Sequence, residues 1–202
     1  YERGIQPIQN RVKEVRPEIN YKVVENHAAE ITAFKVGYVF GSPITFVQRE
    51  NKDINNDNGD IDDKKISILN EMMFEESKRT QDQRLGKDIS VCGIGYRLVL
   101  PRKDKVGISA FTLTRLNPRT TFIVKFNDIY KTPALACTYV ELEDGTVRFG
   151  AYTGSEYYTI EFSTAGWEIT SMSGLKLGAI PIIEYKNDDE RMGCFERVIP
   201  LL

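Results

Sequence analysis

Histidine is almost missing from this sequence: His27 is the only one in 202 residues, and the three cysteines, Cys92, Cys137 and Cys194, stand far apart. Tetrahedral zinc needs about four soft ligands, so no zinc site is read. The wide spacing also excludes a disulfide framework and fits reduced thiols from a cytosolic assembly environment. A Cys–His catalytic pair would have to use His27, which falls in the middle of a helix-like stretch and reads as an imidazole at a core margin or packing seam. No run approaches the roughly 20 apolar residues of a membrane-spanning helix, so no membrane partner is expected. Tyr1-Glu2-Arg3-Gly4 lacks the basic, apolar, small order of a secretory leader. Positive charge is not in excess either. Lys and Arg number 27 against 29 Asp and Glu, a net charge of −2, which excludes a protein that grips phosphates over one broad basic face.

Motifs that carry chemistry are missing as well. Gly93-Ile94-Gly95-Tyr96-Arg97 lacks the third glycine of a dinucleotide fingerprint, precedes a strand rather than following one, and has no Gly-Lys-Ser/Thr. Gly154-Ser155-Glu156 and Ser173-Gly174 are turn residues on a strand pattern, not a nucleophile elbow. Asp53, Asn55 and Asp57 alternate like the first ligands of an EF-hand. The sixth position is Asn58 where Gly is needed, and the twelfth is Lys64 where Glu is needed. Asn51 to Asp63 therefore reads as a solvated acidic loop. Asp57 to Asp63 and Asp188-Asp189-Glu190 supply paired carboxylates, but in polar turn-like stretches where solvation leaves their acidity ordinary. Lys78, Arg79 and Arg84 at a helix joint, and Arg102, Lys103 and Lys105 in a hairpin turn, have only Tyr96 nearby, so no base-stacking platform is read. No catalytic, cofactor-binding or metal site is assigned, and no enzyme activity.

What is present is an ordered series of elements. After a proline-marked start (Pro7, Pro17), Tyr21 to Phe40 carries Val24, Ala28, Ile31, Phe34 and Tyr38 at helical spacing, with Asn20 as N-cap and Gly41 and Pro43 as stop signals. Gly37 inside this helix predicts a close crossing with a neighbouring element. Asp63 caps a second helix with Ile66, Leu69 and Met73 on one face, Met72 and Met73 serving as core filler. Thr80-Gln81-Asp82-Gln83 has capping-box spacing and opens a third helix, with Leu85, Ile89 and Cys92 on one face before Gly93.

From Gly95 onward the apolar period changes from 3.6 to 2. Strands are expected at Tyr96 to Leu100, Ala110 to Leu116, Thr121 to Phe126, Leu135 to Glu143, Thr146 to Tyr152, Glu156 to Phe162, Trp167 to Ser171 and Ile180 to Tyr185. Asp144-Gly145 predicts a two-residue type I′ hairpin. Helices followed by closely spaced strands make an α+β chain, N-terminal helices and then a mainly antiparallel β-sheet region, with Tyr21 to Tyr185 as one folding unit.

Two segments are more specific than this pattern. One is Phe34-Lys35-Val36-Gly37-Tyr38-Val39-Phe40-Gly41-Ser42-Pro43-Ile44-Thr45-Phe46, a helix closing on Gly-x-Pro and entering a strand. The other runs from Gly178-Ala179-Ile180-Pro181 through Glu184-Tyr185-Lys186-Asn187-Asp188-Asp189-Glu190-Arg191-Met192-Gly193-Cys194 to Pro200-Leu201. Together with Asp88-Ile89-Ser90-Val91-Cys92-Gly93, Gly95 to Leu100 and Asn117-Pro118-Arg119-Thr120-Thr121 between them, they resemble the portal proteins of long-tailed bacteriophages of the siphophage type. The resemblance spans nearly the whole chain.

It implies a structural ring subunit, usually one of twelve, at one vertex of the capsid in the virion, assembled in the host cytoplasm. Double-stranded DNA would pass through the ring without sequence readout. The terminase, the scaffold and major capsid proteins, and head-tail adaptors would be partners. The chain would be the wing region: residues 1–20 an extended segment, 21–185 the wing-like α+β domain, and 186–202 a turn and the start of a helix leading to a stem, clip and crown. A family of this kind has no active site and no cofactor. The competing readings are a stand-alone β-rich module that binds carbohydrate or protein through Tyr157, Tyr158 and Trp167, and a metal-dependent hydrolase built on the acidic clusters.

Overall fold

A computed structural model of the chain describes residues 1–12, 14–18, 21–47, 59–102, 107–164 and 166–201. The proposed N-cap Asn20 and the EF-hand positions Asp53, Asn55 and Asp57 lie outside them, as do Lys103 and Lys105. Among the described residues the order is α+β, as the change of period implies: three α-helices, then eight strands in two antiparallel sheets.

Helix α1 is His27–Phe40, six residues shorter at its start than the apolar spacing suggests. Its cap is Asn26, whose side-chain oxygen accepts from the Ala29 N–H at 3.1 Å, a bond that satisfies one of the free N–H groups of the first turn. Gln6 Nε2 donates to the Glu25 carbonyl at 3.1 Å and Asn26 Nδ2 to the Glu2 carbonyl at 3.0 Å. These bonds from the N-terminal segment hold residues 25 and 26 out of the helix. The face that packs is Ala28 and Thr32, both buried, while Phe34 and Tyr38 stack on each other in solvent with ring centroids 6.3 Å apart.

The expected close crossing exists at a different glycine. A Cβ on Gly37 would meet nothing within 4 Å, whereas one on Gly86 would run into the Phe40 ring. The strand expected after Pro43 does not form. Residues 42–47 join no ladder, and Phe46 instead exchanges N–H and C=O hydrogen bonds with the Asn70 side chain, both at 2.9 Å.

Helix α2 is Gly59–Glu75, beginning inside the stretch read as a loop, so Asp63 is an interior residue and not a cap. Helix α3 is Lys78–Cys92 and starts two residues before Thr80, so no capping box opens it. Its N-cap, Ser77, sits at φ +53 without a side-chain cap bond. Two helices at a polar joint and a stop at Gly93, whose N–H donates to the Ile89 carbonyl at 3.0 Å, are as the sequence indicates.

The first sheet has the order β2-β1-β8, from β1 (Ile94–Pro101), β2 (Phe111–Leu116) and β8 (Ile182–Lys186). The second is a meander, β3-β4-β5-β6-β7, from β3 (Thr121–Lys125), β4 (Pro133–Glu141), β5 (Val147–Tyr152), β6 (Glu156–Ser163) and β7 (Gly166–Gly174). The β4–β5 turn is not type I′. The Gly145 N–H donates to the Leu142 carbonyl, the Leu142 N–H to the Thr146 carbonyl, and only Gly145 has positive φ, at +80. That is a type I turn closed by a glycine bulge. The Asp144 carboxylate accepts from the Thr146 N–H at 2.9 Å, and this bond lowers its pKa.

The sheets meet in one core of Tyr96, Leu98, Ala136, Tyr152 and Ile182. Burial pushes the Tyr152 hydroxyl up to about 12, with Tyr157 adding to the shift.

Candidate interaction surfaces

The described groups weighed for catalysis have structural occupations; the Asp57 to Asp63 carboxylates lie outside the described side chains. His27 is the first residue of α1, half exposed, with Nδ1 3.1 Å from Glu30 and Nε2 2.9 Å from Glu25. It is neither mid-helix nor at a core margin. The hydrogen bond to Glu30, then that to Glu25, raises its pKa. Burial raises the Cys92 thiol, with Asp88 adding and Arg119 opposing, and burial alone raises Cys137. All three cysteines are free thiols. Among the described residues, no three His, Cys, Asp or Glu side chains gather as a metal site.

The 188–190 carboxylates sit in the turn after β8. Asp188 accepts from the Met192 N–H at 3.0 Å, Glu190 pairs with Arg197 at 2.8 Å, and Asp189 lies 3.5 Å from Lys186. This turn is locked against the end of α3: the Asn187 N–H donates to the Gly93 carbonyl and the Cys194 N–H to the Ser90 carbonyl. Residues from Glu196 to Leu201 continue as a 3₁₀ helix.

A charged seam fastens α2 and α3 to the first sheet. Asp82, buried on α3, binds both Lys78 and Arg97 of β1. Asp88 grips Arg115 of β2 through two bonds, which raise the Arg115 pKa. Glu75 accepts from the N–H groups of Ser109 and Ile108 and pairs with Arg102. The Ser109 bond is the main cause of its lowered pKa. Glu76 binds Arg102 and the Leu113 N–H, and Gln81 bridges to the Leu113 carbonyl and Arg115 N–H. Of the basic group Lys78, Arg79 and Arg84, then, the first belongs to this seam, the second donates to the Gly41 carbonyl at 3.3 Å, and the third faces another recess. They form no common patch.

The five-stranded sheet has one apolar face whose larger side chains on the outer strands stand in solvent, while its small central residues Cys137 and Ala151 are covered. Paired residues share a face, so Phe122, Cys137, Ala151, Tyr158 and Met172 form one row, Tyr139, Phe149, Ile160 and Ile169 the next, and Val147, Phe162 and Trp167 a third. Tyr139–Phe149, Phe149–Trp167 and Phe162–Trp167 are in ring contact at 5.5, 5.2 and 4.6 Å. Trp167 is 65% exposed, Ile169 62% and Met172 63%. The opposite face carries Ala136 and Tyr152 into the core and Arg148–Glu161 into solvent.

The aromatic trio proposed as a binding platform is divided by this geometry. Trp167 and Tyr158 share the apolar face, but Tyr157 lies on the other, packed on Tyr152 with centroids 4.6 Å apart. The sequence reading missed the face itself, although its signal, alternate aromatic and aliphatic residues on four consecutive strands, is present. An exposed, contiguous apolar patch of this kind marks a candidate interaction surface.

A family model described as phage portal protein, SPP1 Gp6-like, matches residues 1–202. No curated protein matches the chain.

Proposed function

The chain belongs to the phage portal protein family of the SPP1 Gp6-like type, and from that premise we propose that it is the wing-region part of a structural subunit in a ring, of twelve copies when complete, at one capsid vertex. Residues 1–20 would lead into a wing domain over 21–185, and 186–202 would redirect the chain towards the stem. Double-stranded DNA would pass through the ring during packaging and ejection without sequence readout, while terminase, scaffold, major capsid protein and head-tail adaptors dock on the assembly. Assembly would take place in the host cytoplasm and the finished ring would reside in the virion.

The observation that carries this reading is the family match over the whole chain. The uncovered apolar sheet face supports it, because a monomer gains nothing from keeping Phe162, Trp167 and Ile169 in water, whereas a subunit buries such a face against a neighbour. The near-neutral charge fits a wing that faces proteins rather than the DNA path. In purified virions of the phage that encodes it, antibody raised against this chain should label a single vertex per capsid, next to the tail. Label spread over the whole capsid, or absent from the particle, contradicts the reading.

A further inference from the structure

The chain carries slightly more acid than base overall, yet one recess collects cations. Its cavity, about 470 Å³, is lined by Arg3 from the N-terminal segment, Arg84 and Lys87 from α3, Arg115 from the end of β2 and Arg119 from the β2–β3 turn. Among the described residues two carboxylates line it, and both are engaged: Glu2 pairs with Lys87 at 2.7 Å, and Asp88 holds Arg115 through two bonds. Arg3, Arg84 and Arg119 have no carboxylate partner among the described residues. Arg119 is held in place by its backbone, since its N–H donates to Asn117 Oδ1 at 3.0 Å and the Thr120 N–H closes the turn on the Asn117 carbonyl. Three guanidiniums from three segments therefore converge on one concave site, braced by a fourth that Asp88 fixes.

Guanidinium forks match the oxygens of phosphate, with two parallel N–H bonds each, and a recess strengthens the attraction relative to an open surface. We propose that this recess binds a phosphate-type oxyanion. The chemistry is shared by a free phosphate or pyrophosphate and by the phosphodiester backbone of duplex DNA. The site stands whether or not the chain assembles into rings, so it can fail without the portal reading failing.

The test uses the 202-residue chain at low salt, with inorganic pyrophosphate followed by calorimetry and a labelled duplex by fluorescence anisotropy. The site predicts saturable binding of pyrophosphate that weakens about tenfold or more in the double variant Arg84→Gln/Arg119→Gln, with the ligand-free melting temperature unchanged because both side chains are exposed. Arg148→Gln, which removes one positive charge on the far sheet, should leave binding as it was. Duplex that binds and is displaced by pyrophosphate identifies the nucleic-acid backbone as the source. Pyrophosphate that binds while duplex does not identifies a small ligand. Failure of both probes to saturate at millimolar concentration overturns the proposal. So does equal loss in Arg148→Gln, or a binding heat reproduced by sodium chloride at the same ionic strength.

Discussion

Arg97 donates to Asp82 at 2.5 Å across the junction of β1 and α3, with the two residues only 6% and 5% exposed. The guanidinium also lies 5.7 Å from the centre of the Tyr185 ring, and its Nε is buried without a hydrogen-bond partner. A pair desolvated to this degree costs little to replace as a whole and much to break, because the remaining charge is stranded. Asp82→Ala should therefore destabilise the chain by about 3 to 5 kcal/mol in urea unfolding. Because Lys78 also binds Asp82, the whole cluster must be replaced: the triple variant Lys78→Met/Asp82→Leu/Arg97→Met should lose less than Asp82→Ala alone. If Asp82→Ala unfolds at the wild-type urea concentration, the seam does not hold α3 to the sheet.

The two helix glycines should behave in opposite ways. Gly86 faces the Phe40 ring, so Gly86→Ala must push that ring aside and lower the melting temperature. Gly37 faces open space, so Gly37→Ala should raise stability by about 0.5 to 1 kcal/mol through helix propensity alone. Thermal unfolding of the two variants checks both signs, and a loss at Gly37 would contradict the packing given for α1.

His27 is the only histidine, so its ring protons give a single titration curve by NMR. Its pKa should lie above 6.5, and Glu30→Gln should lower it more than Glu25→Gln, following the order of the two hydrogen bonds. A folded pKa raised in this way supports the fold fully below the unfolded value and progressively less as pH climbs through the folded value. Stability from this cluster should thus fall between mildly acidic and neutral-to-alkaline pH, and His27→Gln should flatten that dependence. A curve centred below 6.5 would contradict the two ion pairs.

Much of the architecture was legible because it rests on local period: the change at Gly95, the succession of strands along the chain and the helix stop at Gly93 follow from spacing and turn residues, whereas the split into two sheets, with β8 returning to pair with β1, does not. What the chain hides is set by partners distant in sequence. The start of α1 moves to His27 because Gln6 and Glu2 bind residues 25 and 26. The capping box at Thr80 gives way because Asp82 and Gln81 are drawn to Arg97 and to β2, 15 to 34 residues away. Asp144-Gly145 marked the hairpin correctly, but the dipeptide does not choose between a two-residue turn and a three-residue turn with a bulge. The apolar sheet face and the cationic recess need the register of four strands and the meeting of three segments, neither of which composition records.

The portal reading is tested most directly by microscopy of the purified protein. Negative-stain images should show rings with an open centre, and Phe162→Ser/Trp167→Ser should reduce ring formation while leaving the subunit's melting temperature nearly unchanged, since both side chains are exposed in the single chain. Monomers at every concentration, with no ring in any field, would contradict it.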